Sequence, residues 1–446
     1  MRPTSFDEFA SLLNIHHSSR AVVHGVAIDS RQVKEGDLFF ALPGKKVDGH
    51  TFLKDVALKG AIGAVVREDF CGDDHGLSLL RVPDVTLALQ EMARKSLARR
   101  SSQVIAITGS HGKTTTKEFT AAFLRTRYKI FASPLSYNSQ LTLPLCILLA
   151  DGDEDYLILE MGMSHEGNLK QLISVAPPDI ALITAIAPQH AVNFSDGISG
   201  ISREKASIFT HQRTRLGIVH RDICHYDQVI STGDCPKKTF SLKDRGSDYF
   251  LETLPNGVRV HVKGEKPYEC LLNLPNKVHY HNFLAAVALA QILEISPAQI
   301  REVAPTLQLP PMRFEKVERQ GILFINDAYN ANPEAMQAAI ENLPKPPAGK
   351  KTIAVLSEMD ALGSHTEEGH RRVAEVALQH VDYLLCIGSH CETMHAVWAR
   401  CQKPAQLFQT KQDLCTTLKD LVEPGDVVLL KGARSYALDQ VLSYFP

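Results

Sequence analysis

One stretch of the chain sets a glycine turn, a lysine and several hydroxyls where they would meet a phosphate: Ile105-Ala106-Ile107-Thr108-Gly109-Ser110-His111-Gly112-Lys113-Thr114-Thr115. The apolar run at its start predicts a buried strand, and Phe119, Ala122 and Phe123 on one face predict a helix after it. Backbone N–H groups of such a loop point inward at a phosphate, and the helix N-terminus adds partial positive charge. Lys113 is positioned to reach the β- and γ-phosphates as a point charge, with the Thr114 hydroxyl on Mg2+. The spacing is GxxGKT rather than GxxxxGKT, because Ile107 takes the first glycine position. The short form alone is a weak match. Strand before and helix after make ATP the expected ligand of Gly109, Ser110, His111, Gly112, Lys113, Thr114 and Thr115.

A phosphate loop serves switches, kinases, motors and ligases alike. The apolar strand Tyr156–Leu159 ends at Glu160-Met161-Gly162, and ligands of α/β folds gather at the carboxyl ends of strands. Glu160 is therefore a candidate Mg2+ ligand, although a solvated strand-end glutamate reads equally well. A further apolar strand, Ile180–Ile186, leads to Pro188-Gln189-His190. A lone histidine is ordinarily structural, so His190 carries little weight by itself.

The elements that must hold these groups alternate between strand-like runs and helical patterns, which argues an α/β fold. Pro83 closes one element before the helical pattern Val85–Arg99, and Pro310-Pro311 cannot continue a helix. Beyond them Ile322–Ile325, Thr352–Leu356, Tyr383–Ile387 and Val427–Leu430 predict a second, Rossmann-like sheet. Around 240–275 the short runs Val258–Val262 and Cys270–Leu274 suggest an antiparallel edge. Three domains follow: 1–83, a central P-loop ATPase-type sheet over 84–311, and a C-terminal Rossmann-like sheet over 312–446.

Length alone, 446 residues, suggests about two to four domains. A net charge of −2 excludes a strongly basic chain that coats nucleic acid. No run approaches the roughly 20 apolar residues of a membrane span. The start MRPTSFDEFASLL lacks the apolar core of a secretory signal. Nine cysteines lie scattered, without a CxxC pair or zinc spacing, as in a reduced, cytoplasmic protein.

Together these segments resemble the Mur ligases, over almost the whole chain. Asp29-Ser30-Arg31, Gly36–Leu42 and Asp48-Gly49-His50 are similar to the family's uridine-nucleotide segment. TGSHGKTTTKE (108–118), EMGMSHEGNL (160–169) and the run from His190 to REKASIF (203–209) match its centre. NDAYNANPEAM (326–336) is the most discriminating piece, because its Tyr-Asn-Ala-Asn-Pro core is like the members that add D-alanyl-D-alanine. Lys431–Ser435 resembles the C-terminal KGSRS motif. The chain departs from the pattern at His111, where Asn or Ser is usual, and at Ser139 and Thr142, in an Asn-Asn-x-x-Gly-x-Pro segment that keeps Asn138 and Pro144. Ser357 stands in place of a glycine.

The resemblance implies an ATP-dependent amide-bond-forming enzyme of cytoplasmic peptidoglycan precursor synthesis, acting on UDP-N-acetylmuramoyl-tripeptide and D-alanyl-D-alanine as a monomer. It implies two Mg2+ ions, the first on Thr114 and Glu160 and the second on His190 and a carbamoylated Lys205. Lys113, Glu160, His190 and Lys205 would be the catalytic set. Unaided, Arg203-Glu204-Lys205-Ala206 reads as a surface helix. Asn282, expected to open a helix Asn282–Ile295, matches the residue that meets adenine, and a helix cap accounts for it equally. Arg313 and Asp327 match groups that reach the phosphates and ribose from the C-terminal side, which implies domain closure. Ser30, Arg31, Asn138, Asn330 and Asn332 match substrate positions. His165, Glu358 and His370 sit in matching motifs without an assigned task. Another Mur ligase, a folylpolyglutamate-synthetase-like ligase and a nucleotide-dependent switch are the competing assignments. The first lacks an Asp-Asn-Pro-Arg motif here.

Overall fold

Strands such as Val104–Ile107 and Leu157–Leu159 are apolar on both sides, so the sheet they form has to be covered on both faces. The computed structural model, which describes residues 1–446 except Ser18, Arg20, Lys45, Lys46 and Asn276, meets that demand with layered α/β units. Among the described residues there are three large sheets and one two-stranded ladder, Thr4–Ser5 with Val22–Val23. The first large sheet is parallel and runs in chain order: Gly25–Ala27, Asp37–Phe40, Gly63–Arg67, Ser78–Val82.

The central sheet has nine strands in the order Tyr268–Cys270, Gly257–Val262, Tyr249–Leu254, Lys237–Ser241, Leu216–His220, Ile180–Ile183, Gln103–Thr108, Tyr156–Glu160, Ile130–Ala132. Its first two pairings are antiparallel and the rest parallel. The expected antiparallel edge is thus continuous with the central sheet. It ends earlier than its apolar run, since the last strand is Tyr268–Cys270 and Leu271 to Leu274 lie outside it. The expected strand Ile180–Ile186 likewise ends at Ile183, where the chain turns toward the phosphate loop.

Two cores flank this sheet. Phe283 to Ala290 are all fully buried, and the helix Lys277–Ile292 packs against both the sheet and the neighbouring helix Lys113–Leu124. Phe123 and Phe283 meet edge to face at 6.0 Å. Asn282 does not open this helix, as expected, but lies inside it. The helical backbone begins upstream of it, at Lys277. Lys205, expected on a surface helix if read unaided, is 3% exposed on the helix Ile198–Ala206.

The last sheet has six strands: Glu315–Arg319, Ile322–Asn326, Val427–Lys431, Thr352–Ser357, Tyr383–Ile387 and Ala405–Phe408. Only the first pairing is antiparallel. No helix among the described residues is long and apolar enough to cross a membrane.

Asp179 fixes the register of the central strands at their amino ends. Its buried carboxylate accepts from Val104 N at 2.8 Å and pairs with Arg213 at 2.9 Å, while its own N–H donates to Val104 O at 2.8 Å. Asp179→Ala leaves the Val104 N–H unsatisfied and should lower unfolding free energy by about 2 kcal/mol in urea denaturation. An unchanged midpoint would mean the carboxylate does not hold the strand start.

Candidate active site

From the strand Gln103–Thr108 the chain builds Tyr156–Glu160 on one side and then Ile180–Ile183 on the other. Such a reversal opens a crevice at the carboxyl ends of the strands, and the phosphate loop spans it. Gly109 has φ +152°, and a Cβ there would lie 1.9 Å from Thr184 Oγ1. The close approach lets the Thr184 hydroxyl donate to His111 O at 2.5 Å. Gly112, at φ +82°, would place a Cβ 2.3 Å from Asn282 Oδ1, so the loop lies directly against that asparagine. Ser110 turns away: its N–H donates to Ala185 O, its hydroxyl donates to Ala187 O, and its Oγ accepts from Ala187 N.

Lys113 opens the helix and folds back to donate to Gly109 O at 2.7 Å. Burial pushes its pKa down; Glu160 opposes this and Arg313 reinforces it. Thr114 donates to Glu160 Oε2 at 2.8 Å and lies 2.9 Å from Ser136 Oγ, and Asn138 Nδ2 donates to Glu160 Oε1 at 2.7 Å. Glu160 is 1% exposed, so the solvated strand-end alternative is excluded. A buried carboxylate beside two hydroxyls is a set of hard oxygen donors that suits Mg2+.

Lys117, four residues on from Lys113 and on the same helix face, went unremarked in the sequence. It is fully buried, and its ammonium donates to Ser133 O and, at 2.6 Å, to Leu135 O. These bonds hold the segment that carries Ser136 and Asn138.

His190 sits at φ +67°, a left-handed backbone that costs a non-glycine residue about 1 kcal/mol or more and clusters at functional sites. Burial, then the charges of Lys205 and Lys113, push its pKa down to about 4. Burial and then Lys113 push Lys205 well below the ordinary lysine range. The preceding Glu204 accepts from Gly167 N at 3.0 Å and Leu169 N at 2.7 Å, which ties this helix to the 164–169 segment.

Across the crevice, Met312 (φ +59°) and Phe314 (φ +56°) kink the chain on either side of Arg313. The guanidinium stacks 4.0 Å from the Tyr329 ring centroid. Asp327 accepts from Lys431 at 2.5 Å and from Phe314 N at 3.1 Å. Lys431, 3% exposed, also donates to Asn330 O at 3.2 Å. Asn332 caps the helix Pro333–Glu341 through Ala335 N at 2.8 Å, a structural task the sequence did not indicate. Glu358 accepts from Tyr436 Oη at 2.8 Å and His390 N at 2.9 Å. His370 donates through Nδ1 to Thr366 O at 2.6 Å and accepts from Met359 N, so both side chains brace loops. His165 is exposed, with Ser164 Oγ 3.0 Å from Nδ1.

One cavity of about 480 Å³ gathers these groups from the central and C-terminal sheets. Lys113, Lys205, Arg313 and Lys431 line it together with Glu160, His190, Asn138, Asn282, Asp327, Asn330 and Asn332. Glu334 lines it too, with a buried Oε2 that finds no hydrogen-bond partner among the described residues. Ser30 and Arg31 do not belong to it. They occupy the turn after Gly25–Ala27, where Arg31 pairs with Asp29 at 2.7 Å and Lys59 donates to Ser30 O.

Three family models match the chain: the catalytic domain of the Mur ligase family over residues 22–95, the Mur ligase middle domain over 107–290, and the glutamate ligase domain of Mur ligases over 312–434. A Synechocystis protein named UDP-N-acetylmuramoyl-tripeptide–D-alanyl-D-alanine ligase is 30% identical, over 97% of this chain and 94% of its own. MurF from Acinetobacter baumannii shares the fold, with a TM-score of 0.85 over 99% of this chain and 98% of that one at 24% identity. MurF ligase from Thermotoga maritima, in complex with ADP, has a TM-score of 0.74 at 26% identity, covering 94% of this chain and 96% of that one.

Two histidines give the site a pH signature. Burial and the nearby His220 hold His111 at about 4, and burial with Arg313 holds His279 at about 3. Both lie below the unfolded value of about 6.5. Between about pH 6.5 and 4 the unfolded chain therefore binds more protons than the native one, and stability falls as pH falls. The urea midpoint should drop from pH 7.5 to pH 5, and less so in His279→Gln. An equal drop in that variant would contradict the role given to His279.

Proposed function

The chain belongs to the Mur ligase family, and we propose that it joins D-alanyl-D-alanine to UDP-N-acetylmuramoyl-tripeptide with ATP, in cytoplasmic peptidoglycan precursor synthesis. The observation that carries this is the cavity that Lys113, Arg313 and Lys431 line together with the hydrogen-bonded pair Thr114 and Glu160. The names of relatives aligned over nearly the whole chain support the substrates.

A carboxylate is a poor electrophile at neutral pH. The donor carboxylate oxygen attacks the γ-phosphorus of ATP, the bond to the bridging oxygen breaks, and ADP leaves with that electron pair. The amine of the acceptor then attacks the acyl carbon, and inorganic phosphate departs as the amide forms. The first step brings two anions together, which the protein offsets with fixed cations, and in the second the neutral amine attacks and gives up its proton as phosphate leaves. The N–H groups of Gly109 and of His111 to Thr115 hold the β- and γ-phosphates while Ser110 anchors the loop, Lys113 exchanges Gly109 O for a phosphate oxygen, and Arg313 and Lys431 flank the transferring group from the other wall. Thr114 with Glu160, and His190 with Lys205, would each hold one Mg2+, which when bound draws charge from the γ-phosphate and orients it. Asn282 lies at adenine and Asp327 at ribose, while Asn138, Asn330 and the Asn332 turn position the acyl donor and the dipeptide. Ser30 and Arg31 take the uridine nucleotide on the N-terminal sheet. Division at 1–83, 84–311 and 312–446 lets the last unit close over the phosphate loop and exclude water.

Lys205 serves as a carbamate. Its burial beside Lys113 disfavours the ammonium form, and a neutral amine adds CO2 with loss of one proton. The resulting carboxylate is an oxygen ligand where an ammonium would repel a cation.

Three outcomes are expected. ADP release by the full chain should require both UDP-N-acetylmuramoyl-tripeptide and a dipeptide, with D-alanyl-D-alanine ahead of single amino acids. Slow hydrolysis indifferent to both would point to a nucleotide switch. Lys113→Ala should abolish ligation with little change in melting temperature, whereas a folded, active variant would remove the lysine from the chemistry. Lys205→Ala should lose most activity and regain part of it with formate or acetate. Intact mass should show one added CO2 on the wild type, and a fully active enzyme with a free amine at Lys205 would rule the carbamate out.

A further inference from the structure

Behind the cavity wall, three side chains meet that the ligation chemistry does not use. His220 ends the strand Leu216–His220, Asp222 follows two residues later, and His281 comes from the helix Lys277–Ile292. One ligand atom from each lies within 4.8 Å of the others. None of the three lines the cavity.

The hydrogen bonds fix the protonation pattern. His220 Nδ1 lies 3.0 Å from Thr184 O, which can only accept, so Nδ1 carries the proton. The Nε2 of a neutral ring then presents a bare lone pair. That atom is buried without a hydrogen-bond partner among the described residues, on a side chain 11% exposed, and it faces Asp222 Oδ2 at 3.5 Å. Asp222 Oδ2 already accepts from Ser241 Oγ at 2.7 Å, so it meets the histidine as an acceptor. Two acceptors aimed at each other repel unless a cation lies between them.

A proton on Nε2 would satisfy His220 and Asp222 alone. It leaves His281 Nδ1, which is also buried and partnerless among the described residues. The two imidazole rings are 4.5 Å apart, and burial, followed by His220, holds His281 near 3, so its neutral ring offers one lone pair. Arg221 supplies no counter-charge, since it pairs with Asp244 at 3.3 Å and lies over Tyr226. We propose that His220, Asp222 and His281 bind a divalent first-row transition metal, zinc by preference. Two imidazoles and a carboxylate are a borderline-soft donor set that favours such ions over Mg2+. The His220–Thr184 bond is the outer contact that orients a metal-bound histidine, and Ser241 Oγ, donating to Asp222 Oδ2 at 2.7 Å, does the same for the carboxylate. The ion would pin the helix that carries Asn282 to the sheet beside Thr184, whose hydroxyl holds the phosphate loop at His111 O.

The full chain, purified without a histidine tag and stripped with EDTA, is titrated with Zn2+ against a chromophoric chelator. One tight site is expected, retained in Glu160→Gln and weakened on the order of 100-fold in both Asp222→Asn and His281→Gln. Zinc should raise the melting temperature of the wild type and of neither of those two variants. Affinity unchanged in both Asp222→Asn and His281→Gln, or lost in Glu160→Gln, would place the zinc elsewhere and overturn the site. A folded wild type that binds no zinc would leave only a proton between His220 and Asp222 and would also overturn it.

Discussion

An anion has to be brought against an anion, and the structure depends on how that repulsion is overcome. The donor carboxylate and the ATP γ-phosphate repel at contact, and low dielectric makes the repulsion worse. Concentrating cations in the same volume reverses its sign, but at a cost, because buried cations disfavour their own charge. That cost is visible in Lys113, Lys205 and Arg313, whose pKa values are all pushed down by burial. A polyphosphate brought among them restores the charges it needs.

The same constraint explains why the cavity is assembled from two sheets. One loop cannot present Lys113, Arg313 and Lys431 from opposite directions. The central sheet supplies the phosphate loop, Glu160 at a strand end and His190 in the loop beyond the next strand, and the C-terminal sheet supplies Asp327 and Lys431 at the ends of two adjacent strands. The backbone strain on either side of Arg313 marks the join, where the chain kinks to turn that side chain inward. Asp327 holds Lys431 in place, so the carboxylate expected at the ribose also maintains the cationic wall.

Local chemistry was legible in the sequence, and tertiary burial was not. The phosphate loop announced itself because strand, glycine turn and helix are contiguous. Glu160 is placed by the end of its strand, and its burial with Asn138 and Thr114 bonded to it resolves whether it is solvated. Lys205 showed only a polar helix, because what buries it comes from elsewhere in the chain. Asparagine so often caps a helix that Asn282 reads as a helix start, yet the start is at Lys277. Asn332, singled out for substrate, is a true cap. Ser30 and Arg31 stand apart from the cavity, and no local pattern could have given their distance from it. The pair of partnerless imidazoles at His220 and His281 has no sequence signature, since a strand end and a helix 60 residues on only meet in the fold.

The account stands on phosphoryl transfer to the donor carboxylate inside this cavity, and an isotope label follows that transfer directly. UDP-N-acetylmuramoyl-tripeptide carrying oxygen-18 in its terminal carboxylate is ligated by the full chain, and the released inorganic phosphate is analysed by mass spectrometry. One labelled oxygen should pass to each phosphate, because the bond that breaks when the amine attacks lies between the acyl carbon and the oxygen that took the phosphoryl group. Phosphate free of label, formed alongside the ligated product, would show that the carboxylate was never phosphorylated and would contradict the account.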